Sequence, residues 1–568
     1  MGQETLISPG YLTRENDQSQ ITQQPVTVGA AIIGPTVKGP VELPTIVTSY
    51  SDYVNKFGDV LTSGSNTYSY FTSIAAYNYF NNGGTSLLVA RVVTGSYTSA
   101  QSSTISSSAA TPVNVFTLKT ISKGDIMNST GSLDSLGALS SGSADNIRWE
   151  IVNPSTSSGT FNLLIRRGND VTAAKVVLET FTNLSLDPKS PNFISKVIGD
   201  YVYNYNSSTN QIELTGSYSN NSAFVYVDSV SLLTPDYFDN NGNPKAQYTS
   251  SIPLASSGSF YNASGSIKGG ANFYNTLTAG NTQGTDPGNY TNMINLLSNK
   301  DDYKFNVLIT PGLIDSLHTS AVTTVISNTQ QRGDNIFVDD LTNYGSTYTA
   351  TISQASTRDT SYAASYWPWC QIQDPGTGRN VWVPPSTMII GVYAYNDQVG
   401  EPWTAPAGIN RGGLGSVIRV EQKLPQNYRD ALYQGKVNPI ATFPGLGNVV
   451  YGNKTLQQKP SALYRVNVRR LLIELKSYIG QVANNLVFES NTIATRNIFL
   501  NQVNPYLASV QQRNGLYAFK VVMDETNNTP DVIDRNQMKG AIYIQPTKTA
   551  EFIYLDFNIT PTGVAFPS

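Results

Sequence analysis

The sequence has 568 residues, a net charge of −3, and only 13% charged side chains against about a quarter in ordinary soluble proteins. That length calls for several domains, and the slightly acidic balance, with no Lys/Arg cluster, excludes nucleic acid as a direct ligand. One cysteine, Cys370, and one histidine, His318, exclude an internal disulfide and a multi-cysteine or paired-histidine metal site.

Residues 1–25 are polar and irregular around Ser8-Pro9-Gly10 and read as an N-terminal arm. Residues 26–95 read as the first part of an α/β core. Small apolar residues over 26–33 end at Gly34-Pro35, and a second apolar run covers 45–48. Ser51 is the expected N-cap and Gly58 the expected C′ residue of a short helix. The spacing predicts a helix over 71–80 with Phe71, Ile74, Ala75 and Asn78 on one stripe. Asn82-Gly83-Gly84 stops it before a continuous apolar strand over 87–93, which makes a βαβ pattern.

Residues 96–280 change to Ser, Thr, Asn, Gly and Tyr with short alternating strands, such as Trp149 to Val152 and Phe161 to Ile165. They read as a β-rich insertion, with one helix-like piece over 191–202 and an end near Gly269-Gly270. The core resumes over 281–420, where apolar runs at 305–312 and 388–394 read as strands buried on both faces. A C-terminal α/β domain is expected over 421–545. Its first helix, from about Val468, carries Leu472, Leu475, Ile479, Val482 and Leu486 on one stripe. Its second carries Phe499, Val503, Tyr506 and Val510 and ends at Asn514-Gly515, with Pro505 expected to kink or split it and Asn504 to cap the later half. Strands follow over 518–522 and 541–544. Residues 546–568 read as a C-terminal strand or arm, because Ile553, Leu555, Phe557 and Ile559 alternate on one face. A lone strand needs a partner sheet for its backbone groups, and a terminal one is free to find it on another copy of the chain.

Catalytic constellations are not legible. His318 reads as a solvent-facing side chain in a polar helical stretch, and Cys370 as a buried inert thiol. Arg469-Arg470 reads as a solvated or salt-bridged helix end. Gly445-Leu446-Gly447 lacks the third glycine and the helix of a dinucleotide fingerprint, and no phosphate loop occurs. Asp239 to Asn243 misses the calcium-loop pattern and reads as a polar turn, as does Asp524 to Asn528. A basic-then-apolar leader is not seen and no apolar run approaches the roughly 20 residues of a membrane span, so folding in a cytoplasm is expected.

A dispersed series of motifs resembles the contractile tail sheath proteins of myovirus-type bacteriophages. It starts with Ser8-Pro9-Gly10-Tyr11 and Arg14-Glu15, then Gly34-Pro35-Thr36, Lys38-Gly39-Pro40, Val47-Thr48-Ser49-Tyr50 and Phe57-Gly58. Phe80-Asn81-Asn82-Gly83-Gly84 and Val89-Ala90-Arg91-Val92 close that block. Later come Tyr366-Trp367-Pro368-Trp369, Val383-Pro384-Pro385-Ser386, Ala405-Pro406-Ala407-Gly408, Val466-Asn467-Val468-Arg469-Arg470-Leu471, Val487-Phe488-Glu489 and Ala550-Glu551-Phe552.

The resemblance implies a non-enzymatic subunit without cofactor or metal. Such subunits stack as hexameric rings in a helical lattice around a tail tube, meet baseplate and tail terminator proteins, and contract within a virion tail. It also implies terminal arms that add strands to neighbouring subunits. The N-terminal contacts would be Pro9, Gly10, Tyr11 and Leu12, and the C-terminal ones Ile553, Leu555, Phe557 and Ile559. The tube contact would lie on the helix over 491–513, with Arg496 and Arg513 as candidates, and the insertion would face outward. Two alternatives stay open: the sheath of a related contractile injection system (a secretion system or bacteriocin), and a β-rich surface binding protein such as an adhesin.

Overall fold

A computed structural model of the chain describes residues 26–63, 66–267 and 273–551. In chain order the core opens with β1 (Val26–Gly34), β2 (Thr45–Val47), α1 (Tyr50–Phe57), the hairpin of β3 (Val60–Ser63) and β4 (Asn66–Ser69), α2 (Phe71–Asn81) and β5 (Leu87–Arg91). The following stretch holds β6 (Ser99–Ser102), β7 (Phe116–Lys123), β8 (Ile147–Ser155), β9 (Thr160–Arg167), β10 (Val177–Ser185) and α3 (Ile194–Ile198). It continues with the hairpin of β11 (Val202–Asn206) and β12 (Gln211–Thr215), then β13 (Val225–Val230), α4 (Ala246–Thr249) and β14 (Ser256–Tyr261). The core then resumes with α5 (Tyr290–Leu296), β15 (Tyr303–Ile314), α6 (Thr319–Arg332), β16 (Ile336–Asp340), α7 (Tyr348–Ser356), β17 (Ala363–Trp367), β18 (Cys370–Gln373) and β19 (Asn380–Val383). After these come α8 (Ser386–Val399), β20 (Val417–Val420), α9 (Gln426–Gln434), β21 (Val437–Phe443) and β22 (Gly447–Val450). The last elements are α10 (Val466–Asn484), α11 (Ile493–Gln512), β23 (Leu516–Val522), α12 (Pro530–Asp534) and β24 (Ala541–Pro546).

Two large sheets organise the chain. The eight-stranded sheet runs β2-β5-β1-β15-β16-β17-β21-β22, so strands on either side of the inserted stretch lie side by side. Pairings from β5 to β21 are parallel, and β2 and β22 close the two edges antiparallel. Continuous burial of Leu87 to Arg91 and Ile336 to Asp340 is what a parallel sheet covered on both faces demands. Alternation along β1 divides the layers. Ala30 and Ile32 face α1, α2 and α8, whereas Ala31 and Ile33 face α5, α6, α7 and α9. The sheet reaches Val450 and so takes in two strands that the sequence reading gives to the C-terminal domain.

The second sheet, β10-β9-β8-β14-β6-β7-β13, draws every strand from residues 99–261 and encloses a core of its own around Phe116, Trp149, Phe161 and Phe260. Arg91 stitches it to the first sheet. Its guanidinium is fully buried and donates to the Gly39 carbonyl at 2.6 Å and the Lys123 carbonyl at 2.8 Å.

Several local expectations change. The apolar run Met388 to Ala394 is the middle of helix α8, not a strand. It lies between the sheet and α2, where Asn78 Nδ2 donates to the Thr387 carbonyl at 3.3 Å. A helix covered on all sides has no polar face, so its period is invisible in hydropathy. The same sandwiching buries Thr72, Ser73, Ala76 and Tyr79 of α2 beside the expected stripe. Ser49, not Ser51, caps α1: its hydroxyl accepts from Asp52 N at 3.1 Å while the Asp52 carboxylate accepts from Thr48 N at 3.1 Å, a reciprocal arrangement of the capping-box kind.

The helix expected over 191–202 shrinks to α3, and Val202 already opens β11. Helix α11 runs through Pro505 unbroken. Pro505 and Asn501 are both exposed, so the carbonyl that loses its donor is on the water side, and Asn504 lies inside the helix. His318 is buried rather than solvent-facing. Its Nδ1 accepts from Ile314 N at 2.9 Å and its Nε2 lies 2.8 Å from the Thr278 carbonyl, joining two loops.

Candidate assembly site

The site is built from the last third of the described chain. Helix α10 is rooted on the core by the two adjacent arginines, and both are buried. Arg470 donates to both carboxylate oxygens of Asp397 on α8, at 2.7 and 2.5 Å, with its guanidinium 4.9 Å from the Tyr393 ring centre. Arg469 donates to the Ser361 hydroxyl and lies 3.9 Å over the Tyr362 ring. The salt-bridged half of the sequence reading holds for Arg470, and the solvated half does not: the long side chains are drawn into the junction because Asp397 and the two tyrosines sit there.

From that root, α10 and α11 pack through Leu471, Leu475, Val482, Phe499, Val503, Leu507 and Val510. Tyr478 and Tyr506 stack with ring centres 3.8 Å apart. Asn514 takes a left-handed conformation, φ 60°, and turns the chain into β23. Strand β24 returns antiparallel, pairing Phe519 with Ile544 and Val521 with Ile542. These four side chains lie against the α10–α11 core, while Tyr517 and Tyr543 are 60% and 62% exposed.

Among the described residues neither β23 nor β24 has a further strand partner. A two-stranded sheet is marginal by itself, and each open edge is a row of unpaired N–H and C=O groups ready to accept another strand. Lys520 is the one charged side chain on the pair.

The turn between α10 and α11 presents Phe488, fully exposed and held at φ 73°, a conformation costly for a bulky residue. Val487, Ile493 and Ile498 are exposed around it.

The sequence-derived residues fall as follows. Pro9, Gly10, Tyr11, Leu12, Ile553, Leu555, Phe557 and Ile559 lie outside the described residues. Arg496 is buried, its Nη1 donating to Asn491 Oδ1 at 3.2 Å. Arg513 pairs with Glu401 at 2.9 Å and covers the Trp403 ring. The outward face of α11 is therefore uncharged: Ile493, Ala494, Asn497, Ile498, Asn501, Gln502, Asn504 and Pro505. The open edges were not singled out in the sequence, and Phe488 entered there only within the Val487-Phe488-Glu489 motif, without its exposure. A strand count shows an isolated hairpin only after the tertiary partners of the other strands are known.

Burial pushes the Cys370 thiol up. Asp315 is buried and held by Arg358 through two bonds, one of 2.9 Å. Among the described residues no group of three His, Cys, Asp or Glu is arranged to hold a metal ion, and no helix is long and apolar enough to cross a membrane. The acidic turns behave as read: Asp239 Oδ1 accepts from Asn241 N and Asn243 N at 2.8 Å, and Asp524 Oδ1 from Thr526 N at 2.9 Å.

Comparison with known proteins matches residues 288–456 to the phage tail sheath protein central domain and residues 458–560 to the phage tail sheath C-terminal domain. The tail sheath protein of Vibrio phage KVP40 is 44% identical over 207 residues, 36% of this chain and 31% of that protein. The tail sheath protein of Enterobacteria phage T4 is 42% identical over 187 residues, 33% of this chain and 28% of that protein. The matched region thus spans about a third of these relatives' length. The crystal structure of a sheath tail protein from Listeria innocua superposes with a TM-score of 0.52 at 10% identity, covering 92% of this chain and 95% of that one, a likeness of fold.

Proposed function

Because its second half carries the central and C-terminal domains of the phage tail sheath family, we propose that this chain is the structural subunit of a contractile phage tail sheath. It polymerises with copies of itself as stacked hexameric rings around a tail tube. It contracts to drive that tube through the host envelope for genome delivery, between a baseplate and a tail terminator, without catalysis or cofactor.

The observation that carries the reading is the two-stranded β23–β24 sheet, covered on one face by α10 and α11 and with both edges free among the described residues. Strands from residues 1–25 and 552–568 of adjacent copies, through Pro9, Gly10, Tyr11 and Leu12 and through Ile553, Leu555, Phe557 and Ile559, add to its edges. Each added main-chain hydrogen bond contributes about 0.5–1.5 kcal/mol net, so a donated strand gives a few kcal/mol. Repeated through the lattice, these links form a mesh that holds while the globular bodies tilt. If contraction buries a further few hundred Å² of apolar surface per copy, about 25 cal/mol per Å² releases several kcal/mol for each.

The tube contact lies on α11, through its uncharged face with Arg513 at the end. Of the two arginines, Arg513 is the one placed to reach a partner, and Arg496 supports the helix from within. The sheet of residues 99–261 faces outward as a spacer.

Deleting residues 1–20 tests the scheme. Folded monomers that fail to polymerise are expected in negative-stain microscopy, and sheath tubes of normal length from that truncation would refute strand donation by the N-terminal segment.

A further inference from the structure

The chain does not leave β24 straight into solvent. Five residues beyond Pro546, Glu551 returns to the core and is held there. Its carboxylate pairs with the Arg465 guanidinium and accepts from the Tyr433 hydroxyl at 2.5 Å. Tyr433 belongs to α9 and Arg465 is the N-cap of α10, so three separate stretches of sequence meet at one carboxylate. Both charged side chains are more than four-fifths buried. Arg465 also donates to the hydroxyls of Tyr433 and Tyr464. Lys454 donates to the Tyr433 carbonyl at 2.7 Å, with its ammonium 3.8 Å from the Tyr433 ring centre.

The charge balance at this point is lopsided. Arg465, Lys454 and Lys436 face the cluster as cations, and Glu551 is the carboxylate that opposes them. Burial first, then Lys436 and Arg465, drive the Lys454 ammonium down to about 8, and Glu551 acts in the opposite direction. Taking the carboxylate out of this mostly buried pair would leave Arg465 uncompensated beside Lys454 and Lys436, which costs more than breaking a surface ion pair.

We propose that Glu551 is a positioning residue, a pivot by which Arg465 and Tyr433 pin the root of the C-terminal segment to its own subunit, so that the strand donated to a neighbouring copy starts at Phe552 in a fixed direction. The proposal rests on the strand-donation reading above. Pinning removes the slack of residues 547–551 and so raises the effective concentration of the segment at the neighbour's open edge. It also transmits pull from the donated strand into α9 and α10 rather than into the marginal β23–β24 pair.

The test uses the full-length chain. Glu551→Gln removes the charge and keeps the shape. It is expected to raise the concentration needed for polymerisation about tenfold and to speed amide hydrogen exchange over 547–551 more than elsewhere, with a lowered melting temperature of the monomer because Arg465 loses its carboxylate. Tyr433→Phe, which removes one hydroxyl, gives a change of the same sign and smaller size. Exchanging the charges (Glu551→Arg with Arg465→Glu) recovers most of the loss. Wild-type polymerisation and exchange rates in Glu551→Gln overturn the pivot, and so does failure of the exchanged pair to recover any of the loss while it folds normally. Deleting 552–568 separates the two ideas. If that deletion polymerises like wild type, strand donation by the C-terminal segment fails; if it abolishes polymerisation while Glu551→Gln changes nothing, the pivot alone fails.

Discussion

The eight-stranded sheet and the β23–β24 pair are made of similar residues and meet opposite fates. In the first, Leu87, Leu88, Val89 and Ala90 are covered on both faces, and antiparallel strands β2 and β22 end the ladder. In the second, one face packs on α10 and α11, the other shows Tyr517 and Tyr543 to solvent, and both edges are free among the described residues. A sheet buried on both sides obtains its stability from its own chain, through apolar area removed from water. A half-covered pair with open edges obtains the remainder from whatever strand joins it. On the proposed function, the difference puts rigidity in one region and association in the other.

The contrast is sharpest in truncations of single side chains. Leu88→Ala in β5 is expected to cost the subunit about 2–5 kcal/mol, and Ile544→Ala in β24 about 1 kcal/mol. Urea unfolding of the monomer reads both, and equal losses would break the distinction. Assembly should respond in reverse. Tyr517→Lys with Tyr543→Lys places charge beside both edges. The pair should raise the concentration needed for polymerisation at least about tenfold while leaving monomer stability within about 0.5 kcal/mol; sedimentation and thermal melts of the same preparation decide this.

A third test lies in the rigid region. Asp339, at the end of β16, is fully buried with neither carboxylate oxygen hydrogen-bonded. Burial first, then Asp315 and Asp340, push its carboxyl well above the usual range, and burial raises Asp340 to about 7. Both groups hold their protons more tightly folded than unfolded. Their contribution is therefore fully present below about pH 4 and is lost as pH rises through their raised folded values, about 7 for Asp340. Asp339→Asn should match wild type near pH 4 and exceed its stability at pH 8; parallel pH profiles for the two proteins would contradict the assignment. The smallest effect is expected at the α10–α11 turn. Phe488→Gly relieves a left-handed backbone at an exposed position and should raise monomer stability by about 0.5–1 kcal/mol, and a loss there would mean that Phe488 is supported by contacts within the subunit.

Much of the architecture was legible because it is written in short-range patterns. Continuous apolar runs marked β5 and β15, helical spacing marked α2, α10 and α11, and Asn514-Gly515 marked the turn into β23. The two domain matches cover the motif series read between Tyr366 and Phe552. The strand expected at Met388 to Ala394 failed because burial on every side erases the polar face that periodicity depends on, and the solvent-facing reading of His318 failed because the Thr278 loop, distant in sequence, packs against its ring. Arg496 was read as an outward charge because an arginine's direction on a helix depends on what packs beside it, and here Asn491 receives it inside.

By itself the sequence determined which segments are strands or helices wherever one face meets water, and it carried the resemblance to sheath proteins. The tertiary structure alone decided which strands find partners, that β23 and β24 are left with open edges, and that Tyr433, Arg465 and Glu551 converge on one point. Local patterns record how a residue sits relative to its neighbours in the chain. Completion of a sheet and pairing of a charge are settled by segments far away in sequence, whose arrival only the folded packing fixes.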